Sequence, residues 1–214
     1  MQDSARIPPG QWGISKLRYF SRGHSLAAAA VLVCGLGAAF TASRASAEAF
    51  ANQVVDTAPA GVFDIFLTRL MAAESGGRRH AKNPRSSALG PFQFINSTFL
   101  DVARRHFSAE IAGLTEKQIL KLRADPQLSR RAAAAFCRES LDYLKEQGFE
   151  PTFAHLRLAF LLGPAGAARI MKAQPRTPVA RLLSPPVMEA NPFLRGMSAG
   201  DLLARSEREV SARS

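Results

Sequence analysis

Long apolar runs are missing from this 214-residue chain. The clearest candidate, residues 26–40, has 15 residues, whereas a membrane-spanning helix needs about 20. Basic residues precede this run and a small-x-small triplet follows it at residues 45–47, which is typical of a secretory signal peptide. We therefore predict a signal peptide over residues 1–47, cleaved after Ala47, and a periplasmic protein with no stable membrane span. The alternative is an uncleaved inner-membrane anchor. The basic residues are Lys16, Arg18 and Arg22.

Cysteine is scarce, and the histidines form no recognisable site. Of the two cysteines, only Cys137 lies beyond the predicted signal peptide. A single cysteine forms no internal disulfide, so a buried, inert thiol is predicted there. Three histidines share no metal-ligand spacing, and we predict no metal site. They are His80, His106 and His155.

No nucleic-acid-binding motif is present, although the chain is basic, with a formal net charge of +11. Residues 1–47 hold five of the 28 lysines and arginines and one of the 17 acidic residues, which leaves 23 and 16 and a net charge of +7. Such an excess suits an anionic partner. An exported protein rarely meets genomic DNA, so an anionic polymer of the cell envelope is the expected partner, and nucleic acid is not.

Alternating strand patterns are also missing beyond residue 60, where apolar residues recur at helical spacing. Thr115 and Gln118 form a predicted capping box, and Asp125-Pro126 opens a long helix that runs to about Gln147. Thr152 opens a further helix, which ends before Gly163-Pro164. These patterns predict an all-α domain.

Residues 71–100 carry the most specific functional pattern. Glu74 ends an apolar helical run just before a double glycine, on the same helix face as Leu67 and Leu70. A carboxyl group on that face loses water, which is expected to raise its pKa. It would then keep the proton that a general acid must deliver near neutral pH.

This stretch resembles the soluble lytic transglycosylase (SLT) family, whose members share a goose-type-lysozyme-like core. Glu74-Ser75-Gly76 matches the family's E-S-G, and residues 86–98 match its S-A-x-G-x-x-Q-hydrophobic-x-x-S-T signature. Residues 162–167 resemble an L-G-P-x-G-A variant of the family. Ala190-Asn191-Pro192-Phe193 resembles its A-N-x-x-F segment. The resemblance covers about residues 60–194.

The resemblance implies a lysozyme-like domain of about seven or eight short helices over residues 60–196. A flexible lead-in, residues 48–59, is expected before it, and a peripheral C-terminal helix and tail, residues 197–214, after it. Glu74 would be the catalytic residue. The expected substrate-binding residues are Ser75, Ser87, Gly90, Gln93, Phe94, Phe160 and Asn191.

The resemblance is incomplete in the second half of the expected cleft. Many relatives have an A-Y-N-x-G segment there, but Phe160 stands in place of the tyrosine and Leu161 in place of the asparagine. Asn191 or Ser87 is a candidate to supply the missing hydrogen bond. Of Phe92, Phe94 and Phe99, only one is expected to stack on a sugar ring, because closely spaced aromatic residues usually form core. The basic loop over residues 78–85 could meet stem-peptide carboxylates.

The implied reaction cleaves the β-1,4 bond between N-acetylmuramic acid and N-acetylglucosamine and leaves a 1,6-anhydromuramoyl end, without a cofactor. After Glu74 the next carboxylate is Asp101, so a one-carboxylate, substrate-assisted mechanism is expected rather than a carboxylate pair. One alternative is a hydrolytic muramidase that uses Asp101 or another carboxylate. The other is a wall-binding envelope protein that has lost turnover. A protein partner in the envelope machinery is also possible.

Overall fold

The computed structural model describes residue 46, residues 49–59 and residues 61–211. The predicted signal peptide, apart from Ser46, and its cleavage site after Ala47 therefore lie outside the described residues. Within the described part of the chain, no helix is both long and apolar enough to cross a membrane.

Residues 61–211 form eight α-helices joined by turns and short 3₁₀ segments, and the described residues contain isolated β-bridges but no strand. The all-α prediction is confirmed. The helices are α1 (Val62–Ser75), α2 (Asn96–His106), α3 (Glu116–Lys121), α4 (Pro126–Glu146), α5 (Phe153–Leu162), α6 (Pro164–Lys172), α7 (Pro185–Ala190) and α8 (Ala199–Ser211).

The predicted helix starts are confirmed where a side chain caps its own helix. Thr115 and Gln118 form the expected capping box at α3, and the Asp125 carboxylate accepts a hydrogen bond from the Leu128 amide at 2.7 Å. Thr152 caps α5, with His155 as its partner in a second capping box. Helix α2 follows Ile95, whose apolar side chain offers no cap. No sequence pattern predicted α7.

Helix α5 lies at the centre of the domain, and its residues contribute to two apolar clusters. Phe153 and Leu156 pack with residues of α1, α2 and α4, whereas Leu158 and Leu162 pack with residues of α6 and α8. A helix that is apolar on nearly all sides is stable only when it is covered on all sides. Any charged side chain on α5 is therefore placed near the interior of the domain.

Residues 49–59, the predicted lead-in, contact the helical domain. Phe50 stacks on Phe153 with ring centroids 5.0 Å apart, and Ala51 is fully buried. The Val55 amide donates a hydrogen bond to the Pro151 carbonyl at 3.0 Å. Residues 49–59 thus add apolar side chains to the core beside α5, and the flexibility of this segment stays a prediction.

The C-terminal helix is also misplaced by the sequence-based prediction. Helix α8 packs against α1, α5 and α6, and Leu202 and Val210 are fully buried. Arg69 of α1 donates a hydrogen bond to the Val210 carbonyl at 2.9 Å. A peripheral helix is therefore wrong for residues 199–211. The polar residues of α8 suggested a surface position, but Glu209 pairs with Arg157 of α5 and Glu207 accepts a hydrogen bond from Asn52.

Candidate active site

Glu74 occupies the last turn of α1, where the predicted apolar face meets the loop that follows. Gly76 ends the helix in the left-handed conformation, with a φ of 63°, and its amide donates to the Ala72 carbonyl. Leu67 and Leu70 are buried on the same face. The Glu74 side chain is 15% exposed, so it is largely removed from water yet still reachable.

Arg157 of α5 binds the Glu74 carboxylate directly. Its Nη1 atom lies 2.9 Å from Oε1 of Glu74, and its side chain is only 6% exposed. The same guanidinium group donates from Nε and Nη2 to Oε2 of Glu209, each at 2.8 Å. Arg205 in turn donates from Nε to Oε1 of Glu209 at 2.8 Å. Four alternating charges from α1, α5 and α8 thus form one chain.

This ion-pair chain changes the expected environment of Glu74. A cation in contact with a carboxylate favours its ionised form, whereas loss of water favours the protonated form. The sequence pattern predicts that the loss of water prevails. One feature of the sequence could have revealed Arg157: it is an arginine within the otherwise apolar run of α5, and a buried arginine requires an acidic or carbonyl partner.

The loop after α1 is tied closely to the end of that helix. Ser75 is buried, and its hydroxyl donates to the Pro91 carbonyl at 2.7 Å. Gln93 has a φ of 48°, and its side-chain Nε2 donates to the carbonyls of Ala81 and Gly90 at 2.9 Å and 2.8 Å. Among the described residues, Oε1 of Gln93 makes no hydrogen bond. Gln93 therefore holds the loop together, and its expected contact with substrate stays a prediction.

Arg123 holds the far side of the same loop from inside the protein. Its Nη1 donates to the carbonyls of Ser87 and Phe94 at 2.6 Å and 3.0 Å, and its Nε donates to Leu120 at 2.9 Å. Burial lowers the pKa of the Arg123 guanidinium. No sequence pattern indicates a role for this residue. Its bonds fix the backbone of the loop at Ser87 and Phe94, two of the predicted site residues.

Ser87 and Gly90 have structural roles in this loop. The Ser87 hydroxyl accepts a hydrogen bond from the Asn96 amide at 3.1 Å and so caps α2 from a distance. Gly90 has a φ of 88°, and its backbone lies directly against that of Arg123. Ser75, Ser87, Gly90 and Gln93 are therefore brought into one unit next to Glu74. A hydrogen bond from Ser87 to substrate stays a prediction.

The predicted aromatic contacts with sugar are not provided by this structure. Phe94 is 3% exposed and Phe160 is 8% exposed, and their ring centroids lie 5.4 Å apart. Phe92 and Phe99 are fully buried. Stacking on a sugar requires an exposed ring face, which these rings do not offer. The four rings form core beneath the loop.

Asn191 lies after α7, and its side-chain amide donates to the Val187 carbonyl at 3.0 Å. This bond stabilises the local turn. The proposed replacement of the missing cleft asparagine by Asn191 remains a prediction.

Asp101, the expected second carboxylate, belongs to a different cluster on α2. Burial raises the pKa of its carboxyl group and the Glu139 carboxylate adds to that rise, while Arg104 and Arg105 oppose it. The carboxylate that the structure links to Glu74 is instead Glu209, through Arg157.

Two arginines of the basic loop bind backbone carbonyls, since Arg78 donates to the Ser75 carbonyl and Arg79 to the Ala124 carbonyl.

Among the described residues, no group of three or more histidine, cysteine or acidic side chains could hold a metal ion. Cys137 is a buried free thiol, as predicted, and burial raises the pKa of that thiol.

Comparison with known proteins adds no family assignment. No protein-family model matches the chain, and no curated protein matches it. A functional proposal therefore depends on the sequence motif and on the surroundings of Glu74.

Proposed function

We propose that this protein is a peptidoglycan lytic transglycosylase in which Glu74 is the acid and base. The observation that carries the proposal is the position of Glu74. Its carboxyl group is 15% exposed and lies at the end of α1, directly before a loop that is fixed to that helix through Ser75 and Pro91. A glycosidic acid needs this combination of a rigid support, little water and an open side.

The reaction requires one residue to act twice. Glu74 first gives a proton to the glycosidic oxygen of N-acetylglucosamine as the bond from that oxygen to C1 of the muramoyl residue breaks. The substrate's own N-acetyl group stabilises the positive charge that develops at C1. Glu74 then takes the proton from the muramoyl C6 hydroxyl as the oxygen of that hydroxyl bonds to C1. The proton is thereby returned to Glu74, and no water is consumed.

The fixed loop supplies polar groups where the sugar would lie. Oε1 of Gln93 remains an acceptor for a sugar hydroxyl or N-acetyl amide, because Nε2 alone holds the loop. The basic residues of the loop favour an anionic glycan strand, whose stem peptides carry carboxylates. Peptidoglycan strands are thus the proposed partner, and no cofactor has a part in the reaction.

A hydrolytic muramidase is the second candidate, and Glu209 is the observation that favours it. Glycosidases with two carboxylates use one of them to activate water or to stabilise the sugar cation. Glu74 and Glu209 share one guanidinium group, which places a second carboxylate in the neighbourhood of the first.

Digestion of purified sacculi distinguishes these functions. The mass of the released fragments decides between them, since an anhydro end is lighter than a reducing end by one water. Anhydro fragments support the transglycosylase, and reducing ends support the muramidase. Binding to sacculi without release of fragments would show a wall-binding protein that has lost turnover.

Glu74→Gln tests the role of the catalytic residue. Glutamine preserves the shape of the side chain but has no proton to give, so we expect lysis to fall by about 10²–10⁴-fold or more, since general acid–base catalysis contributes that much. Glu116→Gln is the matched control, because Glu116 is an exposed glutamate paired with Arg104. Circular dichroism verifies that both variants fold. Lysis by folded Glu74→Gln at the level of the control would contradict the assignment.

We also propose export to the periplasm, because the predicted signal peptide precedes the domain. N-terminal analysis of the protein from the cell envelope tests this. Glu48 as the first residue supports cleavage, whereas a retained Met1 would establish the inner-membrane anchor.

A further inference from the structure

The buried guanidinium group of Arg157 joins two carboxylates from α1 and α8, the first and last of the eight helices. We propose that Arg157 is a positioning residue that sets both the orientation and the proton uptake of Glu74, and that Glu209 controls how strongly it does so. The catalytic meaning of this inference rests on the proposed function of Glu74. The coupling between the charges can be measured without any activity.

The orientation follows from the shape of the arginine fork. Nε and Nη2 of Arg157 both donate to Oε2 of Glu209, and Nη1 projects toward Oε1 of Glu74. Because the guanidinium group is planar, fixing one edge on Glu209 also fixes the direction of Nη1. The Glu74 carboxylate is therefore aimed by a residue of α8 that it does not itself need to contact.

The charges around Glu74 come from each element near it. Arg157 belongs to α5, Glu209 and Arg205 belong to α8, and Arg78 follows α1 and donates to the Ser75 carbonyl. Further charged groups on α1, α4 and α5 make contacts of their own. Arg69 donates to the Val210 carbonyl, and Arg130 pairs with Asp64. Arg138 lies over the ring of Phe63, and His155 accepts from the Thr152 amide in the capping box of α5.

This arrangement predicts that removing Arg157 and removing the charge of Glu209 have opposite effects on proton uptake by Glu74. Arg157 favours ionised Glu74, so its removal makes proton uptake easier and also leaves Glu74 near Glu209, whose charge would then be paired with Arg205 alone. Removing the charge of Glu209 leaves Arg157 less neutralised and takes away a neighbouring negative charge. Both consequences of losing the Glu209 charge make proton uptake by Glu74 harder. A purely structural role of the pair would not move proton uptake in opposite directions.

The test uses Arg157→Gln, Arg157→Lys and Glu209→Gln in the mature protein. Carbon-13 NMR of the glutamate carboxyl groups follows proton uptake by Glu74, whose signal is identified by its loss in Glu74→Gln. We expect the midpoint to rise by about 1–3 pH units in Arg157→Gln, as for loss of a contacting cation, and to fall in Glu209→Gln. Arg157→Lys keeps the cation, so its midpoint stays close to that of the unchanged protein.

The pH dependence of sacculus digestion gives the second measurement. Glu74 must be protonated to act as the acid, so the alkaline limb of the rate profile moves to higher pH in Arg157→Gln and to lower pH in Glu209→Gln. Arg157→Lys keeps the limb in place but lowers the rate, because lysine lacks the planar fork. Arg130→Gln is the matched control, since Arg130 also joins α1 to another helix but at Asp64.

Shifts of the midpoint in the same direction for Arg157→Gln and Glu209→Gln, or no shift in either, would overturn the inference. If Arg157→Gln does not fold, Glu209→Gln decides alone: a lower midpoint supports the inference, and an unchanged or higher one refutes it. An unchanged protein that releases no fragments from sacculi would refute the proposed function. The midpoints would still decide whether Arg157 and Glu209 set the charge of Glu74.

Discussion

Replacing Gly90 by alanine should disrupt the loop beside Glu74 far more than the loss of a glycine alone would. A Cβ atom at this position would lie 2.0 Å from the carbonyl oxygen of Arg123 and 2.8 Å from its carbonyl carbon. Both atoms belong to the backbone, which cannot rotate away as a flexible side chain does. Either the loop or the 3₁₀ turn Leu122–Ala124 must therefore move.

The lower free energy of unfolding of Gly90→Ala has two causes, and a second glycine shows the first of them alone. The φ of 88° at Gly90 costs an L-residue about 1–2 kcal/mol, and forcing an extra atom into a packed contact costs about 1–3 kcal/mol. Gly90→Ala should therefore lower the free energy of unfolding by about 2–5 kcal/mol, the sum of the two. Gly113 is the matched control. It has a φ of 75°, but a Cβ atom there would meet no atom within 4 Å, so Gly113→Ala should show only the effect of the first cause.

Urea denaturation followed by circular dichroism measures both variants. The displaced loop carries Gln93, so Gly90→Ala should also lose lysis of sacculi under conditions in which it remains folded. If Gly90→Ala is no less stable than Gly113→Ala, then the close backbone contact with Arg123 is not present in the protein.

Two further predictions concern α5 and α8. Burial lowers the pKa of His155 below its usual value of 6.5, so the stability that the neutral ring contributes is full above about 6.5 and is lost as the pH falls toward the lower pKa of the folded protein. His155→Gln keeps a side chain of the kind that Gln118 supplies to the capping box of α3. Between about pH 7.5 and pH 5, its free energy of unfolding should fall less than that of the unchanged protein. The difference should be up to about 1.4 kcal/mol for each unit by which the pKa of His155 differs between the folded and unfolded protein, and an equal fall in both proteins would contradict this. Leu202→Ala should cost about 2–5 kcal/mol because Leu202 is fully buried, whereas Ile65→Ala, at a side chain that is 49% exposed, should change the stability much less. Equal small effects in thermal unfolding would restore the peripheral placement of α8.

The sequence determined the parts of this protein that depend on near neighbours. A helix cap involves residues three positions apart, so Thr115 and Asp125 marked the starts of α3 and α4 without knowledge of the fold. The position of Glu74 on an apolar helix face depends only on helical periodicity. The double glycine that follows determined where α1 ends. The motif around Glu74 then allowed a functional proposal.

Only the tertiary structure decided which distant residues reach Glu74. Arg157 is 83 residues from Glu74, and Glu209 is a further 52 residues along the chain. The position of α8 follows from the match of its apolar side to α1 and α5, which no local pattern expresses. The aromatic residues of the motif could have faced either sugar or core, and the packing of Phe94 against Phe160 placed them in the core. Local spacing thus identified the carboxylate, whereas the packing of three helices determined its charged neighbours.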